Sequence, residues 1–127
     1  MAWEFYNEPF VVDSAPELPS QCFTHGPWSG HRRFAYDLTR FAKPGRIVEL
    51  GTAFGTSFFS FCQAVRDGRL STRCYAIDTW GGDPHAGYFG EKVYESVFAI
   101  SSREFPAYAA LLRMTFDQSL DLFRDQS

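Results

Sequence analysis

Val48-Glu49-Leu50-Gly51-Thr52-Ala53-Phe54-Gly55-Thr56-Ser57 is the stretch whose reading decides the fold. Arg46 to Leu50 is a short apolar strand. Gly51 to Gly55 makes a tight turn, and Thr56 or Ser57 is placed to cap the helix that follows. On that helix Phe58, Phe61, Cys62 and Val65 share one face, and Gly68 stands where a terminal glycine is expected. Cys74 to Ile77 is a second short strand, ending in Asp78.

Working outward from this unit, Ser29 opens a helical pattern as its N-cap. Phe34, Leu38 and Phe41 recur at helix spacing, and Pro44-Gly45 ends the segment. Residues 1 to 28 are broken by Pro9, Pro16, Pro19 and Pro27, and read as an irregular arm anchored by Trp3, Phe5, Tyr6 and Phe10. On the other side, Thr79 to Gly90 is a turn-rich loop. Glu91 to Ser102 reads as a helix with Val93, Tyr94, Val97 and Phe98 inward, and Pro106 stops it. Ala110 to Met114 is a third strand, and Ser119 to Phe123 makes a turn or two of helix. Strands alternating with helices predict an α/β, Rossmann-like parallel sheet with right-handed crossovers, of which this chain carries three strands and their flanking helices.

In such sheets, ligands bind beyond the carboxyl ends of the strands, where this Gly turn lies. Gly51 and Gly55 permit unusual dihedrals and close approach, and the helix N-terminus presents unpaired N–H groups. The dinucleotide fingerprint needs a middle glycine where Ala53 stands, and no Gly-Lys-Ser/Thr follows as a P-loop would require. Asp78, at the end of the next strand, is placed to accept hydrogen bonds from a ribose diol. The bland alternative is that the glycines only shape a turn and Asp78 only caps a loop.

Composition excludes several classes. The net charge is -3, and Arg32, Arg33 and Arg40 are interrupted by Asp37, so no nucleic-acid footprint is present. Cys22, Cys62 and Cys74 are odd in number and widely spaced, which argues against a disulfide framework or a zinc site; Cys62 and Cys74 read as core. No signal peptide or membrane-length apolar run is seen, so no membrane partner is expected and a reducing cytoplasm is the default location. The fourteen Phe predict a packed aromatic core or a face meant for a partner.

Several runs together resemble the class I S-adenosylmethionine-dependent methyltransferases, in particular a bacterial subgroup often fused or linked to glycosyltransferases. They are Trp28-Ser29-Gly30-His31, Val48-Glu49-Leu50-Gly51 with Gly55 and Ser57, and Ala76-Ile77-Asp78-Thr79-Trp80-Gly81-Gly82-Asp83-Pro84-His85-Ala86-Gly87. Tyr88, Gly90 and Tyr94 continue the match. The resemblance covers residues 28 to 127 and implies S-adenosylmethionine as cofactor. It implies that Glu49, Gly51, Thr52 and Gly55 surround the methionine part, with Ser57 beside them. Asp78 would hold the ribose, Thr79 and Trp80 would lie near the adenosine, and Asp117 and Ser119 near the adenine edge. Methyl transfer to a hydroxyl also needs a base or a metal. Asp83 and His85 are the catalytic candidates, though their spacing also suits two metal ligands, or two residues that only fix the loop; the loop-fixing reading is preferred and no metal site is assigned. The acceptor implied is a sugar, glycan or other small hydroxyl compound. The family pattern runs on beyond three strands, so residues 29 to 127 read as the N-terminal half of a truncated domain whose activity alone is in question. The first strand then has an apolar, unpaired edge, and a homo-oligomer through that edge or the Phe-rich helix faces is expected. The alternative is a non-catalytic cofactor-binding or oligomerisation module.

Overall fold

The computed structural model of the chain describes residues 2–81 and 90–124. Its sheet has three strands, β1 (Arg46–Leu50), β2 (Arg73–Asp78) and β3 (Ala109–Arg113), in the order β1-β2-β3. Both pairings are parallel, with Leu50 opposite Ile77 and Asp78 opposite Arg113. Parallel neighbours need a crossover, and helices supply it. The helices are α1 (Gln21–Thr24), α2 (Arg32–Ala42), α3 (Thr56–Gly68), α4 (Glu91–Glu104) and α5 (Phe116–Phe123). This is the α/β, Rossmann-like arrangement that the alternation of strands and helices predicts.

The core lies between the sheet and the α3 and α4 helices. Phe58, Phe59, Cys62 and Val65 of α3, Val97 and Ile100 of α4, and Cys74 and Ala76 of β2 are all buried, with Phe105 between them. Two inward assignments change. Phe59 is buried where Phe61 was expected, and Phe61 packs only at the margin. Phe98 is 52% exposed, because Val97 and Ile100 set the α4 face one residue round. The opposite sheet face is covered by α5, whose Phe123 packs edge-on against Tyr75 at 5.2 Å. Val48 and Leu50 share that face, pairing with Tyr75 and Ile77, yet Leu50 is 57% exposed. Among the described strands β1 is therefore an edge with an open apolar face.

The helix of the first segment turns the other way from its apolar stripe. Phe34, Leu38 and Phe41 point outward, while Arg32, Ala35, Tyr36, Asp37 and Thr39 are buried. Polar partners make that burial possible: Arg32 pairs with Asp13 at 2.8 Å, Tyr36 donates to Asp67 at 2.7 Å, and the Tyr6 amide donates to Asp37 at 3.2 Å. Trp3 lies over the stripe instead, 5.9 Å from Phe34 and 5.4 Å from Phe41 between ring centres. Of the expected anchors Phe10 is buried and Tyr6 packs edge-on against Tyr36, but Phe5 is 87% exposed and meets Trp3 edge-on. The arm is also more regular than expected. It holds α1 and a 3-10 turn, Val11–Ser14, and a second 3-10 turn, Ser29–His31, leads from it into α2.

Capping differs as well. The Ser29 hydroxyl donates to Gly26 rather than capping α2, which starts at Arg32. Gly55 stands at the α3 N-cap, so neither Thr56 nor Ser57 takes that place. The last helix begins earlier than its apolar residues suggest, because Thr115 and Gln118 form a reciprocal capping box.

Candidate functional site

The turn between β1 and α3 is held by two acids. Asp78 Oδ2 accepts from the Thr52 and Ala53 amides at 2.8 and 2.9 Å, and Oδ1 accepts from the Trp80 amide at 2.9 Å. Glu49 accepts from the Thr52 hydroxyl at 2.9 Å and from the Ser57 hydroxyl. Gly51 and Gly55 have φ of 85° and 88°, which favour glycine. A Cβ on Gly55 would sit 2.6 Å from the buried Phe59 ring. Ala53 and Trp80 are also left-handed, at 50° and 58°. Each such residue costs on the order of 1 kcal/mol or more and persists only where its surroundings impose it. Here they impose it jointly: both amides bond to Asp78, and the Trp80 indole N–H donates to the Ala53 carbonyl at 2.8 Å.

In front of this turn is a cleft of about 540 Å³, within the size range of small-molecule sites. One wall is the turn itself, with Glu49, Gly51, Thr52, Ala53 and Ser57. The other wall is the arm, with Gln21, Cys22, His25, Pro27 and Trp28. The Thr56 hydroxyl joins the two walls by donating to the Cys22 carbonyl at 3.1 Å. No Arg or Lys lines the cleft among the described residues. Glu49 is its carboxylate, and burial pushes its pKa up; the Ser57 and Thr52 hydroxyls work against that rise, and the nearby Asp78 charge adds to it. A cation entering the cleft would stabilise the ionised form of Glu49. An anionic pyrophosphate would meet that carboxylate with no partner of opposite charge.

The structure therefore brings Glu49, Gly51, Thr52 and Ser57 together on one surface. Gly55 lies beneath them, buried. Asp78 stands behind the turn, spending three hydrogen bonds on backbone, with acceptor capacity left on Oδ1. Trp80 is 1% exposed and packs against Tyr94 at 5.0 Å, so its side chain braces the turn rather than facing the opening expected for adenosine. Thr79 is exposed, and its hydroxyl accepts from the Gly81 amide at 3.2 Å. Ser119 is buried and donates to its own helix at Phe116, at 2.6 Å, so no free hydroxyl is offered to an adenine; Asp117 is exposed in the first turn of α5. Asp83 and His85 lie outside the described residues. From sequence the N-terminal segment was expected to be able to fold over the cofactor's mouth, and residues from Gln21 to Trp28 do line the cleft, but nothing in the spacing of Cys22 or His25 singles those residues out.

A parallel strand–turn–helix, braced from the next strand end by an acid, defines the ligand-binding end of a Rossmann-like sheet. The chain belongs to the methyltransferase-domain family, whose model matches residues 48–127. It is also similar to the uncharacterized protein y4gI of Sinorhizobium fredii, with 47% identity over 103 residues. That match covers 81% of this chain and 11% of that protein, so the chain spans about a tenth of its relative's length. No helix among the described residues is long and apolar enough to cross a membrane.

Proposed function

We propose that this chain forms the S-adenosylmethionine-binding part of a methyltransferase that transfers a methyl group to a sugar or other small hydroxyl acceptor. One observation carries the reading: the acid-braced Gly51–Gly55 turn opens onto a cleft that offers a carboxylate, Glu49, and, among the described residues, no Arg or Lys. That chemistry suits a ligand whose sulfonium and ammonium are positive, and it disfavours a dinucleotide. S-adenosylmethionine supplies an electrophilic methyl group when bound. The chain's own residues do the rest. Gly51 admits close approach, Glu49 and Ser57 face the methionine part, and Asp78 keeps the turn open while its remaining acceptor capacity serves the ribose diol. The α3 N-terminus adds unpaired N–H groups. The walls exclude water from the displacement and hold the reactants in line.

Asp83 and His85, read on sequence grounds first as residues that fix their loop, remain the catalytic candidates for the acceptor side. The sugar preference follows the resemblance to glycosyltransferase-linked methyltransferases, and the much longer relative is compatible with a linked catalytic domain of that kind. The open β1 edge, with Val48 and Leu50 exposed, favours a second reading as an assembly module, in which a homo-oligomer covers that edge.

Calorimetric titration with S-adenosylhomocysteine separates the two. Saturable binding, weakened at least tenfold in Asp78→Ala, supports the cofactor reading. A folded chain that releases no heat would leave only the assembly reading.

A further inference from the structure

The arm wall of the cleft ends in an exposed tryptophan whose backbone is fixed on both sides. The Gly26 carbonyl accepts from the Ser29 amide at 3.0 Å and from the Ser29 hydroxyl at 2.8 Å, and the Trp28 carbonyl accepts from the His31 amide at 3.0 Å. The indole is 43% exposed and lines the same cleft as Glu49 and Gly51. His31 meets it edge-on, 5.5 Å between ring centres. An edge-on neighbour covers at most one face of an indole, so a second face is left to the cleft. The two walls are close, because the Thr56 hydroxyl of one donates to the Cys22 carbonyl of the other.

The charge of the cleft is one-sided. Glu49 stands on the turn wall, Pro27, Leu50 and Phe54 add apolar lining, and neither wall carries an Arg or Lys among the described residues. A carboxylate opposite an aromatic surface recognises an organic cation, since the face of an indole attracts positive charge within about 6 Å of the ring centre. S-adenosylmethionine has two positive groups, and they suit different walls. Its ammonium donates hydrogen bonds and pairs with a carboxylate. Its sulfonium has no N–H or O–H to donate, so like a quaternary ammonium it gains most from an aromatic face. The sulfonium also bears the methyl group that must face the acceptor. It is therefore the part of the ligand turned away from Gly51 and toward the arm.

We propose that Trp28 binds the sulfonium through its indole face, and that the cleft thereby distinguishes the methyl donor from the demethylated product. This rests on the cofactor reading above. S-adenosylhomocysteine keeps the ammonium, the carboxylate and the adenosine but has a neutral thioether in place of the sulfonium. It retains what the turn wall offers and loses the charge attraction of the arm wall. The donor is held and the product is released more readily.

The test is calorimetric titration of the chain with each ligand in turn. The parent should bind S-adenosylmethionine about five- to tenfold more tightly than S-adenosylhomocysteine. Trp28→Leu should erase that preference while keeping S-adenosylhomocysteine within about twofold of its parent affinity. Trp28→Phe should restore part of the preference, because a phenyl face also attracts a cation. An equal loss for both ligands in Trp28→Leu would make the indole an apolar wall and overturn the proposal. No loss for either would make it a bystander or a stacking surface for the acceptor, and would overturn it as well. Proton NMR with the 13C-methyl donor gives a second reading. The bound methyl signal should move upfield under the ring current of the indole and return in Trp28→Leu; the same position in both chains would contradict the contact. If both ligands bind the parent equally well, this proposal fails alone. If neither binds the folded parent, the cofactor reading fails and takes the proposal with it.

Discussion

The two walls of the cleft are built by different means. The turn wall is held by backbone amides bonded to a carboxylate at the end of the neighbouring strand, in the middle of a parallel sheet. The arm wall has no sheet partner. Its chain is tied down by side chains that reach across from the domain: Gln63 accepts from the Val11 amide and donates to the Pro9 carbonyl, both at 2.9 Å, and Arg103 grips Glu17. Rigid, locally encoded geometry suits a ligand that never changes. A wall hung on a few distant clamps suits the acceptor, because it can be altered without disturbing the sheet.

The contrast can be broken most forcefully at Gly55. Gly55→Ala forces a positive φ on alanine and drives a methyl group into Phe59, which is itself packed against Phe23 and Phe105. We expect a loss on the order of 2–4 kcal/mol in urea unfolding, with the whole domain affected. A loss of under about 1 kcal/mol would mean that the turn has room to adjust.

Gln63→Leu attacks the other wall. It removes both clamps while filling the same space, leaving the Val11 amide and the Pro9 carbonyl without their partner. The expected cost is about 1–3 kcal/mol. The distinguishing sign is local: protease cleavage between residues 9 and 28 should accelerate far more than global unfolding does. Equal acceleration of both would show that the arm is part of the same cooperative unit as the sheet.

The smallest effect is the most specific. Burial raises the Glu49 pKa, so the folded chain holds that proton more tightly than the unfolded chain. Its contribution to stability is complete below the ordinary carboxylate range, about pH 4, and is lost as pH rises through the raised folded value. Glu49→Gln should therefore be more stable than the parent at pH 8, with the gain disappearing toward pH 4, while S-adenosylhomocysteine binds less well. Denaturant midpoints across that range check the sign, and a gain that grows on acidification would contradict it.

Legibility in the sequence follows the same division. The strands and α3 could be read because each is encoded locally: apolar runs, a Gly turn, an acid at a strand end. The Gly51 turn was legible for that reason, whereas Glu49, Thr52 and Ser57 were implied by the resemblance to class I methyltransferases. The α2 face was misread because its buried side is polar, and Asp13 and Tyr6 of the arm together with Asp67 of α3 make that burial tolerable. Trp80 was read as a ligand contact because nothing local announces that its indole is needed under Ala53. That the arm could lie over the cleft was read from sequence, but not which of its residues line it, because the ties that hold it run from Val11 to Gln63 and from Glu17 to Arg103, more than fifty residues apart, and periodicity carries no trace of them.

Amide hydrogen exchange with and without S-adenosylhomocysteine tests the division of labour between the walls most directly. Marked slowing from Glu49 to Ser57 and at Thr79–Trp80, a smaller effect across residues 21 to 28, and none across residues 3 to 10 is the predicted pattern. Protection confined to the arm, or none anywhere in a folded sample, would contradict the assignment of the acid-braced turn as the cofactor's seat.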